Sequence, residues 1–198
     1  MGILHVVVAV IAVAVIGLII VSVAMARQIG ILLERISPVG AMINDSGPKL
    51  GEVSPEMTIP SLTGGSVTIG RADPKSTLIF FLSPGCPVCK KLLPSLKEMQ
   101  ISEGNWLKIY LASDGDEAKH RKFIQDQKLE NFPYILSEPL GQSYKVARLP
   151  FAVLLDEQGV VKSKGLVNSR EQIESIFNAH ETGYMSIQDL AEKNAVIN

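Results

Sequence analysis

Cys86 and Cys89 are the two cysteines of the chain, set three positions apart in the stretch SPGCPVCKK. Cysteine sulfur attacks other sulfurs as a thiolate, so the question is what would hold it in that form. If the pair opens a helix, residues three apart share a face with Cβ atoms about 5–6 Å apart, and a disulfide between them opens and closes with small adjustment of the first turn. A bridge that closes so short a loop barely restrains the unfolded chain, which makes it a poor structural staple and favours a reactive reading. The first helical turn offers N–H groups without intrahelical partners and the positive end of the helix dipole, both of which favour a thiolate at Cys86. Cys86 is therefore the expected nucleophile, and Cys89 the sulfur that resolves the mixed disulfide. Pro87 has no N–H to lose at the first helical position, and Gly85, Pro87 and Val88 supply the backbone that supports the sulfur. Exchange of this kind needs no cofactor beyond the redox-active pair itself.

Lys90 and Lys91 add positive potential to the same turn, although a solvated helix face accounts for them equally well. A zinc site needs about four ligands, and beyond the cysteines only His5, His120 and His180 offer imidazoles. No metal is expected. Lys+Arg total 19 against Asp+Glu 20, for a formal net charge of -1, so no basic field exists to hold a nucleic acid backbone.

The elements that must place the pair are legible from periodicity. Thr77 to Ser83 (TLIFFLS) is a compact apolar run of β-forming residues, as in a strand covered on both faces, and it ends at Pro84-Gly85. From Cys86 to about Ser102 the apolar positions Val88, Leu92, Leu93, Leu96 and Met99 recur at three- and four-residue steps, which predicts an amphipathic helix opened by the cysteines. Upstream, MTIPSL and SVTIG flank Thr63-Gly64-Gly65 as a hairpin. Downstream come a strand over Trp106 to Ala112, a turn and helix over Glu117 to Leu129, and a short extended piece from Pro133 to Leu136. A short helix toward Val146, a hairpin built on Ala152 to Asp156 and Val160 to Gly165, and a last helix from Ser169 to about Ala179 complete the order. Strands alternating with helices imply a parallel component, and the closing hairpin adds an antiparallel edge. The fold class is α/β, a central mixed sheet flanked by helices.

The N-terminus is of another kind. From Ile3 to Ala26 no Asp, Glu, Lys or Arg occurs, and as a helix the run would extend roughly 35 Å, enough to cross a hydrocarbon core about 30 Å thick. Ala24-Met25-Ala26 resembles a cleavage site, but the apolar run exceeds the usual signal-peptide core of about 7–15 residues and no basic residue precedes it. A retained transmembrane helix is expected. Arg27 and Arg35 lie on its C-terminal side and by charge alone would keep that side cytoplasmic; stable redox exchange on clients argues for the oxidising side instead. Ile29, Leu32, Leu33 and Ile36 continue at helical spacing until Ser37-Pro38, and the turn-rich Asn44 to Pro48 marks a boundary. The expected division is an anchor over 1–26, a juxtamembrane helix and linker over 27–48, the redox domain over 49–183 and a C-terminal tail over 184–198.

FFLSPGCPVCKKLLP and LPFAVLLDEQGVV resemble the active-site strand, helix and proline strand of thioredoxin-like proteins. A closer resemblance, to the MauD family of methylamine utilisation accessory proteins, is carried by ARQIGILLERISPVGAM, LSPGCPVCK, NWLKIYLASDG, LVNSREQIESIF and SIQDL. That resemblance implies a thioredoxin-like fold behind an N-terminal transmembrane helix, in a protein of the inner (cytoplasmic) membrane with its soluble domain in the periplasm. It implies a redox role for Cys86 and Cys89, and a client groove at Leu149 and Pro150, where a cis-proline faces the pair; an ordinary trans-proline that opens the following strand is the alternative, and Arg148 is read as a surface charge first and as a rim of that groove second. The implied client is the small subunit of methylamine dehydrogenase, a disulfide-rich chain that carries tryptophan tryptophylquinone; a membrane redox partner and other maturation proteins are further implied partners. Two departures stand out: the buried acid that thioredoxin carries six residues before its first cysteine is Phe80 here, and its tryptophan beside that cysteine is Gly85. Rival readings are a TlpA-type thiol reductant for apocytochrome c, a non-catalytic assembly chaperone, and a peroxidase. For the last, Ser83 matches the peroxiredoxin hydroxyl, but Ile79 replaces the proline seven residues before the reactive cysteine.

Overall fold

The computed structural model of the chain describes residues 2–35 and 47–182. The chain separates into two compact units, Met1–Ala41 and Met42–Asn198. In the first, α1 (Gly2–Arg35) is a single helix whose segment Gly2–Val23 has a mean hydropathy of 3.3 and is long and apolar enough to cross a membrane. The helix runs through residue 26 without a break, so the stretches expected as anchor and juxtamembrane helix are continuous to Arg35. The Ser37-Pro38 break, most of the turn before Pro48 and the tail over 184–198 lie outside the described residues.

The second unit begins with a hairpin of β1 (Met57–Pro60) and β2 (Ser66–Ile69), paired from Met57↔Ile69 to Pro60↔Ser66. There follow β3 (Ser76–Phe81), α2 (Pro87–Ser102), β4 (Leu107–Ser113), α3 (Glu117–Gln127) and β5 (Tyr134–Leu136). Then come α4 (Glu138–Ser143), β6 (Phe151–Leu155), β7 (Val161–Leu166) and α5 (Arg170–Thr182). The main sheet has the order β5-β4-β3-β6-β7, with β3 parallel to β4, β4 parallel to β5, and β6 antiparallel to both β3 and β7. β3 lies at the centre with all six residues buried, as its unbroken apolar run requires.

Period-two alternation divides each inner strand between two cores. Leu78 and Phe80 of β3, Ile109 and Leu111 of β4 and Leu154 of β6 face one core, which also takes Leu92, Leu93, Leu96 and Met99 of α2, Phe123 of α3 and Ile173 of α5. Ile79, Phe81, Tyr110, Val153 and Leu155 face the other, covered by Ile59, Val67 and Ile69 of the hairpin and Leu140 of α4. Both crossovers run from β3 through β4 to β5 in one direction, so right-handed connections place α2 and α3 on the same face.

The β6–β7 turn is fixed by Asp156, whose Oδ1 accepts the N–H groups of Gln158 at 3.0 Å and Val160 at 2.8 Å, while Oδ2 lies 3.1 Å from Lys162 Nζ. Burial alone would raise this carboxyl, but the Val160 N–H, Lys162 and the Gln158 N–H together hold it below its ordinary value. A depressed folded-state pKa stabilises the fold above the unfolded value of 3.8, and that contribution fades as pH falls through the folded value. Asp156→Asn is therefore expected to cost about 1.5–3 kcal/mol at neutral pH and progressively less below pH 3.8, so that in urea titrations from pH 7 into acid the gap to the native protein narrows once the pH falls below that value. A constant gap across that range would show that the charge has no part in holding the turn.

Candidate active site

β3 delivers the chain to the sheet's C-terminal edge at Leu82, whose N–H still pairs with the Ala112 carbonyl at 2.9 Å. The Ser83 carbonyl then accepts the Cys86 N–H at 3.0 Å, closing the turn that swings the chain into α2. Cys86 is the N-cap of α2 with extended backbone, φ −85° and ψ 112°, and Pro87 occupies the first turn. The two cysteines form a disulfide with a Cα–Cα distance of 5.3 Å. The backbone N–H of Cys89 donates to Cys86 Sγ at 3.1 Å, so the sulfur takes the capping place that a serine or aspartate oxygen usually fills. Charge developing on that sulfur meets an N–H already aimed at it.

The two sulfurs differ in access. Cys89 is fully buried, in the cluster that contains Phe80, Leu82 and Leu92, whereas Cys86 is half-buried and packs at that cluster's margin. Gly85 and Pro87 are exposed and Val88 half-buried, so the turn around Cys86 is the open side of the site. Phe80, in the place of thioredoxin's acid, has no exposed surface and stacks into the same core as Cys89.

Across the sheet edge, the β3–β6 ladder ends at Phe81↔Phe151, and the Leu149-Pro150 peptide just beyond it is cis. Pro150 is buried while Leu149 is 37% exposed, so the sequence-expected groove residues lie next to the strand that leads into the cysteine turn. Arg148 is exposed beside them.

Two features escape a reading by local spacing. His120, considered above only as a metal ligand, is buried on α3 with Nε2 2.8 Å from the Asp114 carbonyl and Nδ1 2.8 Å from the Tyr134 hydroxyl. A carbonyl only accepts, so Nε2 carries the hydrogen and, in the neutral ring, Tyr134 donates to Nδ1. Burial pushes the Tyr134 phenol well above its usual value, with Ser113 working against it, and Ser113 Oγ in turn donates to the Leu82 carbonyl at 2.7 Å. The chain of polar groups thus ties α3, β5 and β4 to the residue four before Cys86. The second feature is an open-sided cavity of about 490 Å³ at the same sheet edge, between the ends of β3 and β4, helix α4 and the loop that ends at Leu149.

A cysteine pair capping the helix after a central strand, with a cis-proline at the start of the neighbouring strand on the same sheet edge, defines a thioredoxin-like thiol:disulfide oxidoreductase. A thioredoxin-like family model matches residues 73–161. Among solved structures, the thioredoxin domain of a thiol-disulfide oxidoreductase from Bacteroides vulgatus superposes with a TM-score of 0.54 at 26% identity, covering 64% of this chain and 96% of that one. A putative thiol:disulfide interchange protein DsbE from Chlorobium tepidum shares the fold with a TM-score of 0.61 at 18% identity, over 67% of this chain and 98% of that one. Relatives along nearly the whole chain are more specific. The methylamine utilization protein MauD of Paracoccus versutus is 39% identical over 92% of this chain and 93% of its own, and that of Paracoccus denitrificans 41% identical over 88% of each. The chain belongs to the MauD family.

Proposed function

We propose that this protein is a membrane-tethered periplasmic oxidoreductase that forms or isomerises disulfides in a client, the methylamine dehydrogenase small subunit, during its maturation. The observation that carries the reading is the unequal access of the sulfurs: Cys86 is half-buried at the helix N-cap and Cys89 is fully buried three residues on. A client thiolate attacks Cys86 Sγ and expels Cys89 as a thiolate, leaving client and Cys86 joined. A second client thiolate then attacks the client sulfur of that bond, forming the client disulfide and releasing Cys86 as a thiolate. Two electrons and two protons pass from the client to the pair, and a membrane redox partner reoxidises it. For isomerisation the reduced pair starts the cycle, Cys86 attacking a misplaced client disulfide. Cys89 is the leaving thiolate when the client is oxidised, and the thiolate that resolves the adduct when the reduced pair has attacked a client disulfide; in both directions Leu149 and Pro150 border the bound client segment, and Gly85, Pro87 and Val88 leave the approach to Cys86 open. The apolar helix α1 supports the tether, and the MauD names of the relatives support the methylamine pathway.

Complementation of a deletion strain tests this. Cys86→Ser and Cys89→Ser are each expected to abolish accumulation of the dehydrogenase small subunit while the variant proteins themselves persist in the membrane fraction. Normal dehydrogenase levels with both variants would refute a redox role and leave an assembly chaperone; loss of haem attachment to c-type cytochromes, with the dehydrogenase subunit intact, would identify a TlpA-type reductant instead.

A further inference from the structure

The cavity beside Leu149 has no part in the chemistry above, yet it is built from the same sheet edge. Leu82, four residues before Cys86, and Leu149, which precedes Pro150, both line it, so anything lying along the Leu149 edge to reach Cys86 passes its mouth. Its walls are apolar and cut back: Phe81, Leu82 and Val146 supply carbon surface, while Ala112, Gly141 and Ala147 supply room. The rim carries Asp114 and Glu138 against Lys145 and Arg148, two charges of each sign, which leaves no net field to select a charged occupant. The wall is held in place by the end of α4, where the Val146 N–H closes on the Gly141 carbonyl at 3.0 Å and Lys145 takes a left-handed φ of 49°. At about 490 Å³ the space exceeds any aliphatic side chain and accommodates one large aromatic ring with its hydration.

We propose that this cavity is a specificity pocket that takes an aromatic side chain of the client, a few residues from the cysteine that reacts with Cys86. The inference rests on the oxidoreductase reading and deepens it: the pair supplies the exchange, and the pocket chooses which client cysteine is presented. A neutral ring fits the balanced rim, and the polar edge of a tyrosine or tryptophan meets the acceptors on Asp114 and Glu138 while its body meets Phe81 and Val146. An extended client segment advances about 3.3 Å per residue, so a ring one to three residues from the reacting cysteine lies about 3–10 Å along the segment, and the pocket proposed for it opens at Leu82 and Leu149 on the same sheet edge.

Gly141 gives a clean way to close the pocket. It lines the cavity, and a Cβ built on it meets no atom within 4 Å, so a side chain there enters open space without straining the backbone. The experiment uses the full chain in detergent with single-cysteine peptides activated at sulfur as 2-pyridyl disulfides, carrying tryptophan, phenylalanine or alanine at each of the three positions on either side; the Cys86 thiolate of the Cys89→Ser variant attacks the peptide sulfur and expels pyridine-2-thione, whose release gives the rate of mixed-disulfide formation. With native Gly141, one position is expected to show an aromatic-to-alanine rate ratio of about tenfold, and Gly141→Trp to bring that ratio close to one. Ala147→Leu, which narrows the opposite wall, is expected to lower the same ratio and covers the case in which Gly141→Trp does not fold. A ratio near one with native Gly141, or a tenfold ratio that survives both substitutions, overturns the pocket while leaving the oxidoreductase reading in place; absence of any peptide adduct counts against the reading itself. Suppression of all adducts by free N-acetyl-tryptophanamide, without an aromatic preference among the peptides, would assign the cavity to a small molecule and overturn the proposal as well.

Discussion

Cys89→Ser is expected to convert the protein into a covalent trap, with the client held on Cys86 as a mixed disulfide that survives alkylation and denaturation and disappears on reduction. The expectation follows from geometry. The sulfur that would resolve the adduct sits three residues on, fully buried and already bonded to Cys86. A serine hydroxyl in its place is neither a thiolate nor a leaving group, so turnover should fall by about a thousandfold or more, while the Cys86 thiolate still attacks a client disulfide, expels one client sulfur as a thiolate and stays bonded to the other. Cys86→Ser should give no adduct, because the sulfur that remains is sealed in the core with Phe80 and Leu92. Mass spectrometry of the trapped species names the client peptide and its cysteine. If Cys86→Ser traps as efficiently as Cys89→Ser, the assignment of nucleophile and resolving sulfur is reversed; if neither traps anything in cells that produce the dehydrogenase, the proposed client is wrong.

The sequence made this site legible because its signals are local. A cysteine pair at helical spacing, an apolar run before it and a proline before a later apolar run each concern a few neighbouring residues, and the structure brings Cys86, Cys89 and Pro150 to one sheet edge as those signals require. The helix starting at Pro87 and ending at Ser102, and the strands within a residue or two of their expected limits, come from the same short-range periodicity. What stayed hidden is set by pairings across long separations. Nothing in the spacing of YIL says that it adds to the free edge of β4 as the sheet's outer strand. His120 looked like a spare imidazole because its partners, Tyr134 and the Asp114 carbonyl, become neighbours only when α3 packs. The cavity has no signature at all in one dimension, being the space that Ala112, Gly141 and Ala147 leave between three separate elements.

Gly70→Ala is expected to be severely damaging although it lies outside the cysteine pair. Gly70 follows β2 with φ +77°, and a Cβ there would lie 2.5 Å from the Pro55 carbonyl oxygen and 2.6 Å from that of Ser54. Both opposing atoms are backbone, and they have little freedom to withdraw, because the Ser54 N–H is tied to the Gly159 carbonyl at 2.8 Å and a Cβ on Gly159 would itself strike the Gly70 backbone at 2.8 Å. Here the segment leading into the hairpin, the end of β2 and the β6–β7 turn meet backbone to backbone, and that contact seats the hairpin whose Ile59, Val67 and Ile69 cover one face of the sheet. Left-handed strain and overpacking together should cost about 2–6 kcal/mol, a large part of the stability of a domain this size. Gly51→Ala separates the two causes, since Gly51 has a similar φ of +81° but open space around its Cβ position, and it should lose only about 1–2 kcal/mol. Urea unfolding of the two variants decides the matter: equal losses would mean that backbone conformation alone sets the cost, whereas a loss at Gly70 exceeding that at Gly51 by about 1–3 kcal/mol would measure the close approach on which the seating of the hairpin depends.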